Sequence, residues 1–217
     1  LDGAPFGKFT RSCTLSQEVV GNWKLGIEAA SEGYHVQALH KATVSGMLSS
    51  KENPHVNFLR FEPMGPHRNT SIPCNPEFRL PESRLVQRFA QDNAQQMMVE
   101  GGANGNVGGT FLSHPAVNPL KSEMFANEQF NIFPNFSIHI SLGGYWTTSY
   151  WPITRGLSRW RSTYYFRKPE SLAEEFSIQS AMALNRDIFA EDNSCFQKQQ
   201  SMLESGGKDH IMFGESE

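Results

Sequence analysis

The chain is short of cysteine, of charge blocks and of long apolar runs. Its three cysteines, Cys13, Cys74 and Cys195, are odd in number and far apart. They provide no disulfide framework and suit a reducing cytoplasm. No apolar run approaches the roughly 20 residues that span a bilayer, and no signal-peptide pattern is visible. Lys and Arg total 19 against 22 Asp and Glu, a net charge of −3, and the basic residues are dispersed. That argues against a nucleic-acid partner and against a cationic helix lying on a membrane. The glycine-rich stretch 101–109 lacks the Lys-Ser/Thr of a phosphate-binding loop, which removes nucleotide binding as a reading. What remains is a chain of 217 residues, long enough for one sizeable domain, with aromatics at 12% to fill its core.

Residues 22–40 organise that chain. They carry Glu28, Glu32, His35 and His40. Glu32 precedes His35 by one helical turn, so the two share a face. Neutral imidazole is the commonest metal ligand, and a nearby carboxylate orients such a ring by accepting its N–H. The spacing of the histidines is awkward. On a straight helix it separates them by about 140° around the axis. They converge on one metal only if the helix bends, bulges or ends between them. On the pair alone, two partly buried helical histidines are the plainer reading; a third ligand from elsewhere in the chain changes it.

The run Asn22-Trp23-Lys24, then Glu28-x-x-x-Glu32-x-Tyr34-His35-x-x-x-x-His40, resembles the iron-site segment of Rieske-type aromatic-ring-hydroxylating oxygenases, in the catalytic domain of the large (alpha) subunit. Asn131-Ile132-Phe133-Pro134-Asn135 resembles that domain's approach to a central strand. Tyr150-Trp151-Pro152 and Thr163-Tyr164-Tyr165-Phe166 resemble the two strands that follow. Asp192, in Phe189-Ala190-Glu191-Asp192-Asn193, stands where the family has its third ligand, late in a long helix.

The resemblance implies a mononuclear non-haem iron(II) held by His35, His40 and Asp192, with open positions for O2 and substrate. It implies that Glu32 occupies the position of the acid that bridges the iron site and its electron source, where aspartate is common. Ala29 stands where the family commonly has asparagine. Electrons would come from a [2Fe–2S] Rieske cluster, commonly on a neighbouring subunit of a homotrimer, fed by a reductase or ferredoxin. That cluster needs paired Cys-x-His and Cys-x-x-His motifs, and no cysteine of this chain has histidine at either spacing. The expectation is one catalytic domain over residues 1–217, excised or truncated, with the Rieske domain outside this chain. The implied fold is α+β of the helix-grip kind: a curved antiparallel sheet on a long C-terminal helix, enclosing an apolar cavity for an aromatic or other apolar substrate.

Local patterns fill in the elements. A strand is expected over 9–15 and a turn over 16–21, then one helical segment over 22–40. Another strand is expected over 56–61, and Pro63, Gly65, Pro66, Pro73 and Pro76 then break regular structure. Residues 81–99 look helical, with Leu85, Val86 and Phe89 apolar. Residues 101–109 read as a flexible loop, and the stretch to about 127 as substrate-facing. Residues 131–167 read as a β-meander, with Phe136, Ile138, Ile140 and Leu142 on one side and Ser137, His139 and Ser141 on the other. His139 either faces a substrate pocket or packs in the sheet. A last helix over 169–204 opens with a Ser171/Glu174 capping box and ends at Gly206-Gly207. On it Ile188, Asn185 and Ala181 fall on the face of Asp192 and, with Met182, are the expected border of the pocket. Glu28 is a weaker candidate for supporting a ligand, and Tyr34 either donates into the site or fills core. Two other readings stay open: a metal-free helix-grip module that binds an apolar ligand, and a zinc hydrolase with Glu32 as general base.

Overall fold

The computed structural model of the chain describes residues 1–103, 111, 112, 114–141 and 143–207, with the backbone alone over 95–103. Among these residues lie seven strands: β1 (Arg11–Val20), β2 (Arg60–Met64), β3 (His67–Pro73), β4 (Phe125–Ile132), β5 (Phe136–Ser141), β6 (Gly144–Thr154) and β7 (Leu157–Phe166). They form one antiparallel sheet in the order β1-β7-β6-β5-β4-β3-β2. Three short helices, α1 (Trp23–Ala29), α2 (Val36–Leu39) and α3 (Ser45–Leu48), follow β1; α4 (Leu85–Ala103) follows β3; and α5 (Leu172–Glu204) follows β7. This is the helix-grip arrangement.

Side chains alternate across each strand, so the sheet has two distinct faces. Toward α1 and α5 it presents Val19, Tyr150 and Trp160, which pack with Leu25, Ile27 and Phe196. The Trp160 and Phe189 rings meet at 4.7 Å. The opposite face carries Phe125, Ile138, Ile140, Tyr145 and Tyr165, which pack with Phe9, Phe111 and Val117. The apolar side of β5 therefore serves this second core. Ser137 and His139 are buried on the α5 side.

Several elements differ from their sequence patterns. Residues 16–20 are strand, because β1 pairs with β7 along its whole length, from Arg11 opposite Phe166 to Val20 opposite Leu157. The breaker-rich stretch is a hairpin, with β2 paired to β3 about Gly65 at φ +62. Pro63 is tolerated there because β2 is an edge strand, where a missing N–H need not pair. Strand β4 begins at Phe125, at the end of the stretch expected to be substrate-facing. The first three residues of the 101–109 stretch are helical, and the rest lie outside the described residues. Leu85, Val86 and Phe89 are exposed rather than core. At α5 the Ser171 hydroxyl accepts the Glu174 N–H, and Gly206 at φ +71 follows the end of the helix. The Glu174 carboxylate accepts the N–H of Glu170, one residue before the cap.

Candidate metal centre

The ligand segment is two helices rather than one. Asn22 caps α1 by accepting the Lys24 N–H at 3.1 Å. The helix stops at Ala29, and the Ser31 hydroxyl turns back to the Ile27 carbonyl at 2.8 Å. Gly33 lies in the break. A Cβ there would stand 2.2 Å from the Val56 carbonyl oxygen, so only glycine lets the two backbones touch. Gly26 likewise lies on the ring of Tyr150, 2.4 Å from where its Cβ would be. Gln129 of β4 fixes the end of α1 to the sheet by donating to the Ala30 carbonyl at 2.5 Å.

The single turn of α2 then separates the histidines. His35 stands at its N-cap and His40 at its C-cap, where φ −96 and ψ 26 depart from the helix. That departure answers the awkward spacing: the two rings lie 5.2 Å apart at 70°. Asp192, on α5, joins them. Its Oδ1 is 3.0 Å from His40 Nε2 and 3.8 Å from His35 Nε2. One nitrogen of each ring and one carboxylate oxygen all lie within 4.8 Å of one another.

The other nitrogen of each ring is held by a carboxylate. Glu32 accepts from His35 Nδ1 and, through its second oxygen, from the His35 backbone N–H at 3.1 Å. Glu191 Oε2 lies 2.8 Å from His40 Nδ1 and accepts the Thr43 hydroxyl at 2.7 Å. Such partners fix the tautomer that leaves Nε2 free and make it a better donor to a metal. His40 is 3% exposed. Burial pulls its pKa down, but hydrogen bonds and charge from Asp192 and Glu191 outweigh this and raise it. The chemistry of the donor set, two imidazoles and one carboxylate on one side of a point, fits a divalent iron with open positions opposite.

Glu191 and Thr43 escaped the sequence reading. The available signal was the Glu191-Asp192 pair itself: consecutive helical residues diverge by about 100°, enough to grip two sides of one imidazole. Glu28 is paired with Arg68 at 3.1 Å rather than with a ligand. Tyr34 is 50% exposed and so does not fill the core. On α5, Met182 is buried and Ala181, Asn185 and Ile188 are half-buried; the Asn185 amide donates to the Ala181 carbonyl at 2.9 Å. A cleft of about 250 Å³ between Asn22, Lys24, Arg155 and the end of α5 contains none of these residues.

The ring hydroxylating alpha subunit (catalytic domain) family matches residues 6–217. No curated protein matches the chain by sequence. Solved structures share its fold at low identity. The quaternary ammonium Rieske monooxygenase CntA, in complex with an inhibitor, aligns with TM-score 0.57 and 11% identity over 90% of this chain and 40% of its own. Naphthalene 1,2-dioxygenase from Rhodococcus sp., bound to indole, gives 0.56 and 16% over 90% of this chain and 44% of its own. Dicamba monooxygenase bound to 3,6-dichlorosalicylic acid gives 0.54 and 10% over 94% and 54%. The chain thus spans about half or less of these proteins' length.

Proposed function

The chain belongs to the ring hydroxylating alpha subunits, in their catalytic domain, and on that premise we propose that residues 1–217 form the oxygen-activating domain of a Rieske non-haem iron oxygenase. The observation that carries this is the convergence of His35 Nε2, His40 Nε2 and Asp192 Oδ1 while both remaining ring nitrogens are held by carboxylates. These three groups would hold one iron(II). That ion would supply open positions for O2 and the redox chemistry that reduces it. The chain's own residues do the rest. Glu191 and Thr43 fix His40, and Glu32 orients His35 from both its ring and its backbone.

In this reading Glu32 is also the acid through which a Rieske domain, presented by a neighbouring subunit and fed by a ferredoxin or reductase, connects to His35. The substrate is a molecule with an aromatic or other apolar skeleton. Among the described residues no helix is long and apolar enough to cross a membrane, in keeping with a cytoplasmic enzyme.

The test is metal content after anaerobic iron(II) loading of the chain and of Asp192→Ala, followed by EPR of the nitric oxide adduct. About one iron per chain with a high-spin nitrosyl signal, lost in the variant, is the expected result. Equal iron in both proteins, or none in a folded wild type, would overturn the proposal. Preferential retention of zinc would favour the hydrolase.

A further inference from the structure

The sheet face that looks toward α5 is polar beyond its aromatic corner. Register places Thr70, Gln129, His139, Trp146, Tyr164 and Cys13 in one row across β3, β4, β5, β6, β7 and β1. The row beside it holds Asn131, Ser137, Thr148 and Ser162. Strand alternation puts Trp146 on the same side as Tyr150, and Tyr164 on the same side as Trp160, both of which pack under α5. Trp160 meets Phe189, three residues before Asp192 on α5, at 4.7 Å. This row therefore lies on the side of the sheet that faces the metal ligands.

Burying so many polar groups is costly unless each finds a partner. Most do. The Thr148 and Ser162 hydroxyls meet at 3.1 Å, Ser137 Oγ lies 2.9 Å from His139 Nε2, and Gln129 donates to Asn131 Oδ1 at 3.0 Å. Among the described residues, Thr70 Oγ1, Asn131 Nδ2 and Trp146 Nε1 are buried with no partner. The rings also have a fixed posture. His139 stacks on Trp146 at 4.7 Å and 7°, and Trp146 on Tyr164 at 6.0 Å and 21°. Their faces are taken up by one another, so what they offer outward is ring edges, the positive rim of each π-system, with the indole N–H among them.

We propose that the substrate of this iron site carries a carbonyl or carboxylate oxygen that accepts a hydrogen bond from Trp146 Nε1, with Asn131 Nδ2 as a second donor on the same face. Trp146 is then a specificity residue: a purely hydrocarbon substrate would leave these buried donors unpaired. The inference rests on the iron-oxygenase reading for its location, yet its test does not require turnover.

Ligand-observed NMR titrations with toluene, acetophenone and benzoate, on the anaerobic iron(II)-loaded chain and again without metal, give the answer. Acetophenone or benzoate should bind about tenfold or more tighter than toluene, as one well-placed hydrogen bond allows. Which of the two binds tighter identifies the oxygen as neutral or anionic. Trp146→Phe keeps a stacked ring and removes the donor, so it should erase that preference. Asn131→Asp keeps the acceptor for Gln129, removes the second donor, and should weaken acetophenone selectively; it also reads the proposal should Trp146→Phe fail to fold. Toluene binding as tightly as both oxygen-bearing probes, a preference that survives both variants, or no binding of any probe would overturn the inference. Failure of iron uptake would instead count against the function and leave the probe comparison readable.

Discussion

At the scale of single residues, the centre depends on groups that never touch the metal position. Glu191 accepts from both His40 and Thr43, so Glu191→Gln should cost about 10-fold or more in iron affinity while the fold persists. A competition titration against a chelator would measure it, and unchanged affinity would show that His40 needs no such support. Gly33 is a second pressure point. Its missing Cβ makes room for the buried Val56, whose own φ of +56 is strained for a β-branched residue. Gly33→Ala should therefore destabilise the chain by about 1–3 kcal/mol in urea unfolding and lower iron content as well. That His35, His40 and Asp192 lie within reach of one another was legible because the spacing of Glu32, His35 and His40 carries a specific motif. Glu191 was not, because an acid next to a ligand has the same composition as an ordinary solvated helix face.

Elements were legible where local signals act alone. The Ser171 cap illustrates this: the sequence marks it, and the hydroxyl accepts the Glu174 N–H at 3.2 Å. Ser171→Ala should cost about 1 kcal/mol, seen as a lower urea midpoint with an unchanged slope. Other elements depend on partners distant in sequence. Ser16, Gln17 and Glu18 show no strand alternation, yet they extend because β7 supplies a ladder for them. Pro63 and Pro73 read as breakers, yet they sit on an edge strand and at a strand's last residue. The division of α1 from α2 is likewise tertiary, set where Gly33 meets the Val56 backbone and Gln129 holds Ala30. No window of the sequence contains both halves of any of these contacts.

For the molecule as a whole, the two faces of the sheet set how it responds to acid. His139 is buried, and burial lowers its pKa to about 3. Unfolded, it would protonate near its ordinary value of about 6.5. Its contribution to stability is thus fully present above about pH 6.5 and declines as pH falls toward 3, by at most about 1.4 kcal/mol per pH unit. His139→Gln should flatten that decline, and urea midpoints of the two proteins measured from pH 7 to pH 4 would converge or cross if the assignment is right. Parallel midpoint curves would refute it. The order of the strands has a temporal consequence too. His35 and His40 precede strands β2 to β7, Asp192 follows them on α5, and β1 meets its partner β7 only after the intervening strands have been made. A growing polypeptide exposes two imidazoles long before their carboxylate exists, and it cannot close the sheet that holds them together. Capture of a metal by all three of His35, His40 and Asp192 would therefore follow translation of α5.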